Sequence, residues 1–299
     1  MAALALVAAY FAWQTPQFAT PSNLLITARQ YAEVALVATG MTLVILVGGI
    51  DLSVGSTAGL AGMAAGLLSL LTPAPLPVAL VVALGVGMGV GLLNGALIGG
   101  LRLSPVIVTL ATWAGGRSLA YVLTHGDPVS GLPDPVVALT DLWVAGVIPS
   151  TAILAVGVAV AASVTLRYTP YGRCLTAQGQ NMKAARFSGI PVGRMGLSVY
   201  LIAGTLAGVA GLLMASRAET AVPDAGVGLE FEAITAVVLG GARIDGGYAS
   251  VLGTILGVAT LGLLHNGCSL LGVDSTWQTL VIGLLLLGAV TLDTHLRRN

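Results

Sequence analysis

Apolar residues run in long blocks that break at Pro, Gly and clusters of charge. The blocks predict helices at about residues 2–14, 31–48, 55–71, 76–99, 105–124, 150–166, 196–215, 232–241, 251–265 and 276–293. Most approach the roughly 17–25 residues that a helix needs to cross a bilayer. Segment 232–241 is too short to span alone and reads as a half-helix or a continuation of the preceding loop. No alternating ten-residue segments of the β-barrel type occur. The predicted fold class is therefore all-α: a polytopic membrane protein of about ten transmembrane helices, forming a single domain over 1–299.

Composition agrees. Of 299 residues, 56% are hydrophobic and 8% charged, and mean hydropathy is +0.96. Soluble domains carry about a quarter charged residues. The 41 glycines suit helices held together by close packing rather than by water exclusion. Net charge is zero and no basic tract points to nucleic acid. Cys174 and Cys268 have no metal-like spacing and define no disulfide framework. The first segment lacks a basic lead-in and a small-residue cleavage site, so it reads as an uncleaved helix.

Orientation follows the cations, because Lys and Arg of short loops stay cytoplasmic. Arg167, Arg173, Lys183, Arg186 and Arg194 crowd one polar stretch, and Arg297 and Arg298 close the chain. With ten spans these fall on one face together with Arg102. That face is expected to be cytoplasmic, with both termini, in an inner membrane. The opposite face receives the loops near 14–23, 125–149 and 219–228. The middle one holds Asp127, Asp134 and Asp141 and no cation, which is ordinary for an outer loop and also suits docking of an external partner.

Two short echoes run through the chain. VILVGGIDLSVGSTAGL resembles AVVLGGARIDGGYASVLGT, and LLNGALIG resembles LLHNGCSL. Internal duplication is common in transporters.

The stretch 167–195 is polar where a connector needs only a few residues. Within it, residues 178–187 predict a short helix closed by Ser188-Gly189 and followed by Pro191. Met182, Ala185 and Arg186 would share one side, with Lys183 and Phe187 beside them. Two readings stand: a basic loop obeying the charge rule, or a surface helix that seats in another protein.

GGIDLSVGS, NGALIGGLRLSPVIVTLAT, YGRCLTAQGQNMKAARFSGIPVGRMGLSVYLIAGTLAGVAGLL and EAITAVVLGGARIDGGYASVLGT occur in that order. The ordered set resembles the permeases of carbohydrate-importing ABC transporters, of the ribose and autoinducer-2 type, from about Phe18 to Leu292. The resemblance implies a type II-like importer permease, two permease subunits (identical or not) forming one pathway. It also implies a separate ABC ATPase that uses ATP and Mg, and a periplasmic or lipid-anchored solute-binding protein. On this chain Gly172, Arg173, Asn181, Ala184, Ala185, Arg186, Ser188, Gly189 and Ile190 match the family's ATPase-coupling segment, with Lys183 among them as a departure. Met182-Lys183 stands where the family commonly has Pro-Glu, and Arg243 and Asp245 replace small polar residues. The absence of a G-x-x-x-x-G-K-[ST] loop agrees with ATP being handled elsewhere. No catalytic constellation, bound cofactor or metal site is expected in this chain; His125, His265 and His295 share no ligand spacing. A branched-chain amino-acid type permease and an ion-coupled secondary transporter are the alternatives.

Ionisable groups in a bilayer are functional suspects. Asp51 follows Gly48-Gly49 and precedes Ser53, Gly55 and Ser56, so it reads as a joint that caps the next helix, with a gate or pathway role as the alternative. Asn94 and Asn266 each precede Gly and either bridge helices or line the pathway. Trp113 sits near a predicted interface, where a sugar-stacking role competes with a place in the aromatic belt. Glu33 and Arg117 fall near helix ends or faces, from which either could snorkel, and Glu230 and Glu232 precede a helix and suit its N-terminus.

Overall fold

The computed structural model describes residues 2–298. Among them are fourteen α-helices and two short two-stranded ribbons. In chain order they are α1 Ala2–Gln14, α2 Pro21–Gln30, α3 Ala32–Leu46, α4 Val54–Ser69, α5 Pro75–Gly95 with a π turn Ala96–Gly100, and α6 Pro105–Thr124. There follow β1 Val129–Ser130, α7 Asp134–Asp141, β2 Trp143–Val144, β3 Ile148–Pro149, α8 Ser150–Tyr168, α9 Pro170–Gln180 and α10 Met182–Phe187. The chain closes with α11 Val192–Ala218, β4 Thr220–Ala221, α12 Leu229–Leu239, α13 Val251–Leu270 and α14 Ser275–Arg298. The side chains of Arg297 and Arg298, on which the charge bias partly rests, lie outside the described ones.

The centre of the bundle is α3, buried along its whole length and apolar except for Glu33 in its first turn and the hydroxyls of Thr39 and Thr42. Helix α11 packs against α3, α4 and α5, and α12 sits between α3 and α13. Close approach rests on glycine. A Cβ on Gly87 of α5 would collide with the Gly204 carbonyl of α11, and one on Gly204 would collide with the Gly87 carbonyl. With no water to drive apolar surfaces together, such backbone-to-backbone packing is what holds membrane helices.

Five described helices are long and apolar enough to cross a membrane: α5 with its π turn, α6, α8, α11 and α13. The apolar stretch 4–14, α3 and α4 are shorter. Ten crossings are therefore an expectation carried by the sequence pattern and not by helix length alone. The 27 residues of α11 rise about 40 Å, well beyond the span predicted over 196–215. The 11 residues of α12 rise only about 16 Å, so this element is a half-helix.

Three helices occur where loops were expected. Helix α2 starts on Thr20, whose side chain accepts from the Asn23 amide, with Pro21 in its first turn. Helix α7 starts behind Pro133. Helix α9 takes up residues 170–180 of the polar stretch, so the short helix predicted over 178–187 begins only at Met182.

The bundle has two distinct ends. One carries α9, α10, the α3–α4 turn, the α5–α6 turn and the turn before α13. The other carries α2, α7 and both ribbons; β1 pairs with β4 there, and Ser216 donates to the Val137 carbonyl at 3.0 Å. The two echoing segments meet at the α10 end, through Gly48 of one and Gly246 of the other. Gly48 and Gly246 have φ of +79° and +90°, and a Cβ on Gly246 would lie 2.7 Å from the Gly48 nitrogen.

Candidate functional site

The polar segment resolves into a scaffold and a protruding tip. Along α9, Gly172, Leu175 and Gln178 are buried at helical spacing. The helix breaks at Asn181, whose extended backbone and side chain cap α10: its Oδ1 accepts from the Ala184 amide at 2.9 Å. Gly189, with φ +82°, and the Ser188 turn close α10 at its other end. Ala185 faces inward and is buried, so its side chain offers nothing to a partner. What α10 presents outward is Met182, Lys183, Ala184, Arg186 and Phe187, the last 93% exposed. The predicted face uniting Met182, Ala185 and Arg186 is thus divided. Phe187 is thus exposed on the same short helix as the cations Lys183 and Arg186.

Beside α10 lies a cavity of about 460 Å³, bounded by Arg102, Pro105, Gln178, Met182, Arg186 and Tyr200. Arg102 holds φ +59° at the α5–α6 turn. Arg173 and Arg194 share this end, on α9 and α11.

Helix α9 grips the joint that carries Asp51. A Cβ on Gly179 would overlap the Leu46 carbonyl and stand 2.5 Å from the Gly247 amide, so no larger residue fits there. The Gly247 amide itself donates to Leu46 O at 2.9 Å.

Beyond that joint a buried polar chain begins. Asp51 Oδ1 accepts from the Ser53 amide at 2.9 Å and from Ser53 Oγ at 2.6 Å. Ser53 Oγ accepts from Asn94 Nδ2 at 2.9 Å, and Asn94 Oδ1 accepts from Thr112 Oγ1 at 2.8 Å. Asp51, Ser53 and Asn94 are all buried. The chain ties the α3–α4 joint to α5 and α6. Contrary to the expectation, Asp51 does not cap α4 through that helix's own amides; it organises Ser53, which occupies the N-cap position without a side-chain cap bond. Asp51 Oδ2 and the Tyr200 hydroxyl are buried without hydrogen-bond partners among the described residues.

Asn266 belongs elsewhere. It exchanges two hydrogen bonds with Asn23 of α2, at 2.7 and 2.9 Å, and so bridges α13 to the opposite end of the bundle. Trp113, 38% exposed, sits on α6 with its indole beside the Glu230 carboxylate. The expected pathway set is thus split: three residues form one chain, and two lie apart from it.

Neither Glu33 nor Arg117 snorkels. Glu33 is buried and takes a bidentate pair from Arg217, Nε to Oε1 at 2.9 Å and Nη2 to Oε2 at 3.0 Å. Arg117 turns inward and Nη1 donates to the carbonyls of Pro223 and Ala225, at 2.6 and 2.9 Å. The Glu33–Arg217 pairing follows from the expense of an unsatisfied charge in hydrocarbon, whereas Arg117 Nε and Nη2 are buried without a hydrogen-bond partner among the described residues. Glu230 and Glu232 stand in the first turn of α12, where the helix dipole favours anions.

The model of the branched-chain amino acid transport system / permease component family matches residues 23–290. The chain belongs to this permease family. Among its relatives, the ribose import permease of Bacillus subtilis is 43% identical over 282 residues, 93% of this chain and 86% of the relative. The ribose import permease of Escherichia coli K12 is 36% identical over 305 residues, 97% and 91% of the two chains. The autoinducer 2 import system permease of Klebsiella pneumoniae is 35% identical over 295 residues, 99% and 83%. No solved structure matches at a significant level. As a member of this family the chain is a transport permease rather than an enzyme, and its apolar helices make it a multi-pass membrane protein.

Proposed function

We propose that this chain is the membrane-spanning subunit of an ATP-driven importer that carries a monosaccharide or related small polyol across the inner membrane by alternating access. The observation that carries the reading is α10: a capped, outward-facing helical turn with an exposed Phe187, mounted on α9, in a chain whose relatives are named as ribose and autoinducer-2 permeases. The α10 end, with both termini, faces the cytoplasm. A separate ABC ATPase binds and hydrolyses ATP with Mg there, a solute-binding protein delivers cargo at the opposite end, and a second permease subunit completes the pathway. Sugar relatives, rather than the family's amino-acid title, favour the carbohydrate over the branched-chain alternative.

The proposed mechanism uses contiguous contacts. A displacement of α10 moves α9. Gly179 presses on Leu46 and Gly247, so the joint before α4 must follow. The Asp51–Ser53–Asn94–Thr112 chain then carries the shift into α5 and α6. Rigid helices joined by such contacts pass motion because packed interfaces do not deform continuously.

The test is purification of the tagged chain co-expressed with a candidate ABC ATPase, comparing wild type with Phe187→Asp. Co-purification of the wild type, lost in the variant, supports the reading. Recovery of the ATPase undiminished by the substitution counts against α10 as the docking element.

A further inference from the structure

A second cavity, of about 320 Å³, opens at the end opposite α10. Its wall is unlike that of the cavity beside α10. Gln30, Tyr31, Glu33, Arg217, Glu232 and His265 all line it, from α2, α3, α11, α12 and α13. Six polar side chains around one small space inside an apolar bundle are expensive, and a bundle that needed only packing would not gather them.

Their bonding sorts them into a frame and a free set. Glu33 and Arg217 satisfy one another through two parallel bonds. The Tyr31 hydroxyl and His265 Nδ1 are 2.5 Å apart, and Gln278 is a second side-chain partner of the imidazole, so the ring belongs to the frame. Glu232 makes no side-chain hydrogen bond among the described residues and is only partly buried. Gln30 lies at the rim. The cavity therefore offers acceptors and donors at several angles, while its one guanidinium is already held by a carboxylate.

That balance selects a ligand class. A solute bearing a carboxylate or phosphate finds Arg217 occupied and Glu232 facing it. An uncharged polyol meets carboxylate, phenol and amide groups that suit hydroxyls acting as both donor and acceptor. We infer that this cavity is an entry subsite for a neutral sugar, with Glu232 and Tyr31 as its hydrogen-bonding groups and His265 orienting the Tyr31 hydroxyl. The inference rests on the reading of the chain as a carbohydrate permease and adds to it where the cargo first touches the membrane subunit.

Val227, 70% exposed, lines the same cavity and supplies the probe. Val227→Cys is made with Cys174→Ser and Cys268→Ser and reconstituted with its partner subunits. The rate of maleimide labelling is measured with D-ribose, with leucine and with neither. Ribose at about twice its dissociation constant is expected to slow labelling about threefold, while leucine leaves it unchanged. Glu232→Gln and Tyr31→Phe, made singly in the native background, are each expected to raise the KM for uptake about 2–10-fold with little change in maximal rate, the effect of one lost hydrogen bond made equally in ground and transition states. A fall in maximal rate with unchanged KM would mark a merely structural role and overturn the assignment. Uptake that proceeds while ribose fails to protect the introduced cysteine overturns the subsite and leaves the transport reading standing. Protection without ATP-dependent uptake does the reverse.

Discussion

The amide of Gly247 donates to the carbonyl of Leu46 at 2.9 Å, locking the turn before α13 onto the end of α3. Two segments that echo one another in sequence are thereby stitched together directly beneath α9. Gly179 completes the junction, its α-carbon so close to both partners that a methyl group has no room. The same junction precedes Asp51, and so it joins the protruding α10 to the buried polar chain.

Gly179→Ala is expected to destabilise the protein by about 1–3 kcal/mol, the usual effect of forcing a methylene into a packed site. Gly189 provides the contrast: nothing lies within 4 Å of a Cβ there, and only its φ of +82° opposes a side chain. Gly189→Ala should therefore be limited to about 1–2 kcal/mol, with Gly189→Asn milder because Asn tolerates the left-handed region. Thermal unfolding in detergent, read by tryptophan fluorescence, ranks the three.

Ser53→Ala and Asn94→Leu each strand a buried polar partner and are each expected to lower stability by about 1–3 kcal/mol. The double variant removes both sides of one bond, so its loss should fall short of the sum by at least about 0.5 kcal/mol. A double-mutant cycle checks this. Strict additivity would show that the 2.9 Å contact does not couple α5 to the joint.

Breaking the Glu33–Arg217 pair from one side leaves a charge behind. Arg217→Met should destabilise by about 3–5 kcal/mol, because the Glu33 carboxylate it strands is only 4% exposed. The pair replacement Glu33→Leu with Arg217→Met should recover most of the loss, measured by the same unfolding assay.

Phe187→Ala should leave thermal stability within about 0.5 kcal/mol of wild type, as for other surface changes. It should weaken ATPase binding about tenfold, equivalent to about 1.4 kcal/mol. Ala185→Trp should do the opposite, disturbing folding first, because Ala185 is buried against its own chain. Parallel melts and affinity measurements separate the two effects.

What could be read from the sequence follows the physics of each element. Pro105, the long apolar run behind it and His125-Gly126 bounded α6 at 105–124, and the structure places the helix there. The Gly-Gly breaks at 48–49 and 240–241 were equally plain, since glycine adopts the turns other residues resist. Helices α2 and α9 escaped because hydropathy is blind to short polar helices; Thr20-Pro21 and Thr169-Pro170 were the start signals to weigh. Asp51 announced itself as a charge in an apolar run. Its partners did not, because Ser53, Asn94 and Thr112 meet across three elements and only the packed fold sets that distance. Arg217 and Glu33, 184 residues apart, were hidden for the same reason.

The central claim is that an external ATPase, engaged through α10, drives this chain to carry a neutral sugar. It is tested most directly by radiolabelled ribose uptake into proteoliposomes holding the chain with its ATPase and binding protein. The account predicts accumulation that requires ATP on the α10 side and is abolished by Phe187→Asp. Accumulation by the chain alone, driven by a proton gradient without ATP, would contradict it.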